Sequence, residues 1–119
     1  MEMNLSAKDK AFRYEVRSFI EDKLSPAMRE ASNLTSGVFA EFDIGQRWHK
    51  ALYEKGWIAP SWPKEHGGTA WTPMQRYIYD SEAGAAGVPR LFSMGLRMVG
   101  PVIMKFGTEE QKSYYLPRI

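Results

Sequence analysis

The first forty residues alternate apolar and polar positions in a way that predicts a helix, a break and a restart. Apolar residues recur at intervals of three and four, the spacing of one face of an α-helix. They are Phe12, Val16, Phe19, Ile20 and Leu24. Ser6, three residues before Asp9, resembles the start of a capping box. Pro26 disfavours helical geometry in the residue before it, so a new element begins there, and residues 32–37 predict a loop.

A second amphipathic pattern follows between residues 43 and 56. Asp43 is the predicted N-cap, and Lys55 followed by Gly56 is typical of a helix end. The apolar stripe between these two signals is formed by Ile44, Trp48, Ala51 and Leu52. The pattern predicts a helix with one face in the core.

Residues 57–71 contain two prolines and two glycines, which exclude a continuous helix. The same fifteen residues contain Trp57, Trp62 and Trp71. Large aromatic side chains in a loop usually pack against the domain, because leaving them in water forfeits on the order of 2 kcal/mol each. We therefore expect an ordered segment and not a mobile linker.

The next helix begins at Thr72 and Pro73, an N-cap followed by proline at the first helical position. Its predicted buried face is formed by Met74, Tyr77, Ile78, Ser81 and Ala85. The small residues at 83–87 predict the close approach of another helix, and Val88-Pro89 predicts a break.

Three shorter helices are predicted in the remainder of the chain. Residues 91–99 form one, residues 101–106 form another that ends at Gly107, and Thr108 begins a capping box for the last, which Pro117 stops. No segment shows sustained alternation with hairpin turns. The sequence therefore predicts one all-α domain over residues 1–119, an orthogonal or up-down bundle of about five or six helices.

The predicted helix after Pro89 is apolar on two faces. One face consists of Val88, Phe92, Leu96 and Val99, and the other of Leu91, Met94 or Gly95, and Met98. A helix with two apolar faces is buried on two sides, and a domain this small rarely covers both. We expect another domain or a ligand to cover one of them, and the uncovered face to promote self-association or dye binding.

Composition excludes several classes of protein. The 119 residues contain no cysteine, which excludes disulfides, thiolate metal sites and a cysteine nucleophile. The net charge is +2, with nine basic and nine acidic residues in 1–60 and seven basic and five acidic residues in 61–119, so neither half is a basic arm and we expect no nucleic-acid partner. The longest apolar run, residues 98–104, is far shorter than the roughly 20 residues of a membrane span, and the N-terminus lacks a signal-peptide pattern. We expect a cytoplasmic protein with no membrane partner.

Few side chains suggest catalytic chemistry. His49 has no second metal ligand one turn away, so a surface or half-buried helix position is favoured over a metal site. His66, beside Glu65, is a weak candidate for a general base, and a hydrogen bond to its own loop is favoured. Glu109 and Glu110 suit the first turn of a helix better than a carboxylate pair. The glycines lack the strand–turn–helix context of a nucleotide-binding motif. We therefore predict no catalytic and no metal-binding residue in this chain.

Five segments in order resemble the N-terminal helical domain of the acyl-CoA dehydrogenase family. They are Trp48 with Leu52 and Gly56-Trp57, the sequence Pro-Ser-Trp-Pro-Lys-Glu-His-Gly-Gly at 60–68, Glu-Ala-Gly at 82–84, Val-Gly-Pro at 99–101, and Phe-Gly-Thr-Glu-Glu-Gln-Lys at 106–112 with Tyr-Leu-Pro-Arg-Ile at 115–119. The last two are the most specific. The segments around Pro89 and Val99 are similar to bacterial members such as the pimeloyl-CoA dehydrogenase large subunit.

The resemblance implies a longer flavoenzyme that desaturates acyl-CoA thioesters between the α and β carbons. Family members add a β-domain, which holds FAD, and a C-terminal helical domain, which in most members supplies the glutamate base; many are dimers or tetramers. The resemblance therefore implies that this chain is a first domain, inactive alone and without bound FAD, whose partners are acyl-CoA, its own missing domains and other subunits of a homo- or hetero-oligomer.

In the family, the helix after the small-residue tract forms one wall of the acyl cavity. By position this wall maps onto residues 88–99, and the residues we assign to it are Val88, Pro89, Phe92 and Leu96. Plain packing of the same side chains against a β-domain is an equal alternative. A free-standing helical interaction module without catalysis is the alternative for the whole chain. The first-domain hypothesis and the free-standing module differ in whether the reading frame continues past Ile119 into β-rich sequence.

Overall fold

A computed structural model describes residues 4–119 and contains six α-helices. They are α1 (Ala7–Lys23), α2 (Pro26–Asn33), α3 (Phe42–Lys55), α4 (Pro73–Ala86), α5 (Gly100–Phe106) and α6 (Glu109–Tyr115). A π-helical segment, Met94–Val99, precedes α5, and two 3₁₀ turns cover Lys64–His66 and Leu116–Arg118. No strand occurs among residues 4–119, so the predicted all-α class is confirmed. The expectation about the N-terminus falls partly on residues 1–3, outside this range.

The helix boundaries follow the capping residues of the sequence. Ser6 Oγ accepts a hydrogen bond from the Asp9 N–H at 3.1 Å and begins α1. Thr72 and Thr108 each form a complete capping box at the starts of α4 and α6. Gly56 ends α3 with a φ of 79°, a conformation that glycine adopts without a Cβ penalty. These predicted starts and stops are confirmed. They were predictable because each depends on contacts within four residues.

Two local predictions in the first half of the chain are wrong. Asp43 lies in the first turn of α3, and Glu41 occupies the N-cap without a side-chain hydrogen bond. The loop predicted over 32–37 begins later, because Ser25 and Pro26 provide a strong start that carries α2 through Asn33. Neither change alters the order of the helices.

Helix α4 presents a different face to the core from the one predicted. Ile78, Tyr79 and Ala83 are its buried residues, whereas Tyr77, Ser81 and Ala85 are exposed. The face with Tyr79 and Ala83 points to the core because α4 packs along α1, its most extensive helix partner, and because Tyr79 contacts the indoles of the preceding loop. The close helix approach predicted at residues 83–87 is found in part. Ala83 is buried in the main core, and a Cβ at Gly87 would come within 3.1 Å of Asn33 at the end of α2, whereas a Cβ at Gly84 would meet nothing within 4 Å.

The main core lies between α1, α3 and α4. Phe12, Val16 and Phe19 of α1 pack with Trp48 and Leu52 of α3. Aromatic rings complete this core at short centroid distances, with Phe19–Trp57 at 5.0 Å, Trp71–Tyr79 at 5.2 Å and Phe12–Trp71 at 5.2 Å. At its edge, Arg17 of α1 makes a two-pronged ion pair with Glu82 of α4, at 2.8 and 3.0 Å.

A second, smaller core joins the 57–71 segment to the C-terminal helices. Ala59, Trp62, Leu96 and Leu116 are its buried members. Since Trp57 contributes to the first core and Trp62 to the second, the segment connects both. The prediction that its indoles hold it against the domain is confirmed.

The stretch after Pro89 differs from the predicted pair of separate helices. Residues 91 and 92 are not helical, the π-helical segment starts at Met94, and it continues into α5 without a break at Pro101. Proline is tolerated there because it lies in the first turn of α5. Over residues 4–119, none of the helices has the combined length and apolarity of a membrane span.

Candidate functional site

A cleft of about 640 Å³ lies between α3, α4 and the segment that follows Pro89. Val88, Pro89 and Leu96 line it, so the structure brings together three of the four residues assigned to the acyl wall. Pro89 and Leu96 are buried and Val88 is half-buried. Aromatic side chains of the main core form much of the remaining wall, which gives the cleft an apolar floor.

Phe92 lies outside this cleft. Its ring packs between Phe39 and Phe42, at centroid distances of 6.0 and 5.7 Å, and faces Gly45, where an added Cβ would come within 2.9 Å of the ring. The prediction that Val88, Pro89, Phe92 and Leu96 share one helical face is therefore wrong. Residues 88–92 are not helical, so the spacing of 3.6 residues does not apply to them.

The charge of the cleft comes from residues that the sequence pattern did not single out. Arg76, Arg90 and Arg97 line it, against the single carboxylate of Asp80. The three arginines lie on three different elements, so no local spacing could have predicted that they converge. An apolar cleft with surplus positive charge suits a ligand that is both apolar and anionic.

Tyr79 places a phenol at the wall between the cleft and the main core. Burial, and to a lesser extent the neighbouring Asp80, raise the pKa of Tyr79 well above its usual value of 10.0. The hydroxyl therefore stays protonated even in mildly alkaline solution, where an exposed tyrosine begins to ionise.

A second cleft, of about 580 Å³, lies on the other side of Trp62. His66, Glu109 and Lys112 contribute its polar rim, while Trp62 and Leu96 form a wall that it shares with the first cleft. His66 Nε2 is 3.8 Å from Glu65 Oε1, too far for a hydrogen bond. The pair therefore lacks the geometry in which a carboxylate orients a catalytic histidine, and the weak base assignment gains no support.

The other titratable candidates lie in helices, where local burial and hydrogen bonds account for their pKa shifts. His49 is half-buried in α3, and burial lowers its pKa although a backbone hydrogen bond at Ile119 opposes that effect. Glu110 lies in the first turn of α6, where hydrogen bonds from its own backbone and from the Thr108 side chain lower its pKa. Within residues 4–119, no three potential metal ligands come together.

The glycines provide no phosphate cradle. A Cβ at Gly68 would overlap the carbonyl oxygen of Trp62, so this glycine packs against the chain's own backbone and leaves no space for a ligand. Gly84 has open space but lies inside α4, where the helix uses the backbone N–H groups. Neither Gly68 nor Gly84 therefore provides a cradle for the phosphates of a dinucleotide.

An apolar stripe lies open on the π-helical segment and α5. Met94, Met98, Val102 and Phe106, four residues apart, are 59%, 56%, 56% and 75% exposed, and Val99 beside them is 50% exposed. The sequence predicted that one apolar face after Pro89 would be open. An open apolar face is present, but its members differ from the predicted ones. Val99, predicted on the face of Leu96, lies in the open stripe, whereas Leu91, predicted on the face of Met94 and Met98, packs against both cores.

The chain matches a known family model over most of its length. Residues 6–119 match the model described as "Acyl-CoA dehydrogenase, N-terminal domain". The acyl-CoA dehydrogenase FadE26 of Mycobacterium tuberculosis is 35% identical over 122 residues, which cover 100% of this chain and 30% of FadE26. Acyl-CoA dehydrogenase IpdE1 of the same organism is 30% identical over 91% of this chain and 29% of its own length. The chain thus spans less than a third of these relatives.

Solved structures give the same correspondence in three dimensions. The Tcur3481–Tcur3483 steroid ACAD, in its G363A variant, superposes with a TM-score of 0.74 at 34% identity, over 93% of this chain and 28% of that one. The ChsE4–ChsE5 complex from Mycobacterium tuberculosis superposes with a TM-score of 0.69 at 32% identity, over 99% of this chain and 28% of that one. With the family model matched from residue 6 to residue 119 and the fold matched over nearly as much, this chain belongs to the acyl-CoA dehydrogenase family and forms its N-terminal helical domain.

Proposed function

We propose that this chain is the first domain of an FAD-dependent enzyme that desaturates acyl-CoA thioesters between the α and β carbons. The observation that carries the proposal is the family match over residues 6–119. Neither Gly68 nor Gly84 offers a cradle for the FAD phosphates, and the relatives are more than three times as long as this chain, so the parts that they carry beyond this domain would hold the flavin. This chain would supply no catalytic residue and would be inactive alone.

The contribution of this domain is one wall of the acyl cavity. Val88, Pro89 and Leu96 line the 640 Å³ cleft and offer an apolar surface without polar side-chain atoms. Each apolar Å² of acyl chain buried there contributes about 25 cal/mol to binding. Phe92 belongs to the proposed wall as a support, because its packing against Phe39 and Gly45 holds the start of this segment. The surplus of arginines favours the approach of an anionic thioester.

The substrate we propose is a thioester with a bulky acyl group of the steroid class, and the assembly is a hetero-oligomer. Support for the substrate comes from the steroid ACAD, which superposes on this chain with a TM-score of 0.73 in its unaltered form. Support for the assembly comes from the ChsE4–ChsE5 complex, which contains two different proteins. Localisation in the cytoplasm remains part of this proposal.

The test compares this chain with the full-length protein that contains it. We expect the full-length protein to retain FAD through gel filtration and to reduce an electron acceptor when given acyl-CoA, and this chain to do neither. FAD retention or acceptor reduction by this chain alone would contradict the proposal. Oxidation of NADH by the full-length protein in the presence of an enoyl-CoA would instead assign reductase activity. One relative, 28% identical to this chain, is named acryloyl-CoA reductase (NADH), from Anaerotignum propionicum.

The acyl wall is tested by narrowing the cleft. In the full-length protein, Val88→Phe should lower kcat/KM for a bulky acyl-CoA by about 10-fold or more relative to a short one, because added volume in an apolar pocket discriminates on that scale. Leu34→Phe also places a phenylalanine, at an exposed position outside both the cleft and the stripe, and serves as the control. Equal effects of the two variants would leave plain packing as the role of Val88.

A free-standing interaction module is the second candidate, and the exposed stripe of Met94, Met98 and Val102 is the observation that favours it. It requires no β-rich sequence after Ile119. Translation of the gene across that position decides between the two functions.

A further inference from the structure

The π-helical segment leaves one carbonyl without a main-chain donor. The Gly100 N–H bonds the carbonyl of Gly95, five residues earlier. In the same register the partner of the Leu96 carbonyl is residue 101, which is proline and has no N–H. Leu96 is buried, so its carbonyl would be costly to leave unpaired.

Trp62 supplies the missing donor from a distant part of the chain. Its Nε1–H donates to the Leu96 carbonyl at 2.8 Å, in a buried hydrogen bond that spans 34 residues. Its ring lies directly on Gly100, where a Cβ would overlap Trp62 Cζ2. The three positions are complementary, since Gly100 lacks a side chain, Pro101 lacks an N–H, and Trp62 provides both the ring and the donor.

The loop around Trp62 fixes the direction of the indole. The Trp62 N–H donates to the Ala59 carbonyl at 3.0 Å, and the Gly68 N–H donates to the Pro63 carbonyl at 3.0 Å. Gly68 packs so closely on the Trp62 carbonyl that no side chain fits between them. The backbone of the loop around Trp62 is therefore fixed by its own contacts, and it places the indole against the Leu96 carbonyl.

We propose that Trp62 is a positioning residue that stabilises the π-helical segment through the Leu96 carbonyl and thereby sets the wall between the two clefts. Trp62 and Leu96 both line the 640 Å³ cleft and the 580 Å³ cleft, so a shift of either changes both volumes. The stabilising role of the hydrogen bond is inferred from the contacts alone, whereas its effect on acyl-CoA binding rests on the proposed function.

The first experiment measures coupling between Trp62 and Pro101 in the unfolding of this chain. Trp62→Phe should lower the folding equilibrium constant about 10- to 100-fold, because the Leu96 carbonyl loses its partner. Pro101→Ala restores an N–H at position 101, so the double variant should recover most of that loss. Multiplicative effects of the two changes would overturn the proposal.

Trp57→Phe is the matched control for the loss of an indole. Trp57 is as buried as Trp62 as a whole residue, at 7% exposed, but its indole N–H reaches solvent, since no buried side-chain nitrogen among residues 4–119 lacks a partner. Its effect should multiply with that of Pro101→Ala. Should Trp62→Phe fail to fold, hydrogen exchange in the unaltered chain decides: the Trp62 indole N–H should exchange at least 10-fold more slowly than that of Trp57, and equal rates would overturn the proposal.

The second experiment measures kinetics in the full-length protein. Trp62→Phe should raise KM for a bulky acyl-CoA several-fold with kcat nearly unchanged, and Pro101→Ala in the same protein should restore KM. Unchanged KM in a folded Trp62→Phe protein would overturn the positioning role. If the unfolding coupling is present but the full-length protein does not act on acyl-CoA, the proposed function fails and the hydrogen bond stands.

Discussion

Glycine has opposite energetic effects at Gly68 and Gly84. At Gly68 an added Cβ would overlap the backbone carbonyl of Trp62, which cannot rotate away as a side chain can. At Gly84 an added Cβ would meet nothing within 4 Å, and the residue lies inside a helix, where glycine is unfavourable.

We predict that Gly68→Ala destabilises the chain by about 1–3 kcal/mol, the usual cost of forcing extra volume into a packed site. Gly84→Ala should stabilise it by about 0.5–1 kcal/mol, because alanine loses less backbone entropy in a helix. Urea unfolding of both variants measures these changes. Similar changes in the two variants would contradict this explanation.

Tyr79 should make the chain sensitive to alkali. Because the pKa of its phenol is raised in the folded state, the unfolded state loses the proton first, and stability falls as pH rises above about 10. We predict that Tyr79→Phe weakens this loss when urea unfolding at pH 8 and pH 10.5 is compared. Tyr77→Phe, on the exposed side of the same helix, is the control and should leave the loss intact.

At the scale of elements, the helix starts carry measurable stability. Thr72 Oγ1 accepts from the Gln75 N–H at 3.2 Å, and Gln75 Oε1 accepts from the Thr72 N–H at 2.9 Å. This capping box begins α4, the helix that packs most extensively on α1. Loss of the cap should therefore affect the whole core and not the terminus alone.

We predict that Thr72→Ala lowers the free energy of unfolding by about 1 kcal/mol, within the usual 0.5–2 kcal/mol for a threonine cap. Ser81→Ala, an exposed position in the middle of α4, is the control and should change it by less than about 0.5 kcal/mol. Chemical denaturation gives both values. Equal values would show that the capping box does not support α4.

At the scale of the whole molecule, Met94, Met98, Val99, Val102 and Phe106 form a continuous exposed apolar stripe along neighbouring turns, with each side chain at least half exposed. Apolar patches that reach a few hundred Å² on a monomer usually mark an interaction site. In the relatives, this domain is under a third of the protein, so other parts are available to cover such a surface.

We predict that this chain binds a hydrophobic dye or self-associates through the stripe. The double change Met98→Lys and Val102→Lys should reduce dye fluorescence and shift gel filtration toward the monomer, because two charges in the patch oppose its burial. Leu34→Lys removes another exposed apolar side chain, 77% exposed and outside the stripe, as the control. A reduction of the same size in the control would exclude the stripe as the interaction surface.

Most helices and their ends were predictable because they depend on neighbours in the sequence. Ser6, Thr72, Thr108 and Gly56 act through hydrogen bonds or backbone angles within four residues. The candidate site was predictable only in part. Val88, Pro89 and Leu96 meet in one cleft, but Phe92 turns toward Gly45, because the backbone after Pro89 is not the regular helix that its apolar spacing suggests.

By itself the sequence determined the helical class, the helix order and the family, since periodicity, caps and motifs are local or ordered along the chain. The tertiary structure alone decided which face of α4 is buried, where three arginines converge, and that Trp62 donates to a carbonyl 34 residues away. These features depend on how elements pack, and a hydrogen bond between distant residues leaves no periodic trace in either segment. Pro101 marks a missing donor in the sequence, but only the packed chain shows which residue replaces it.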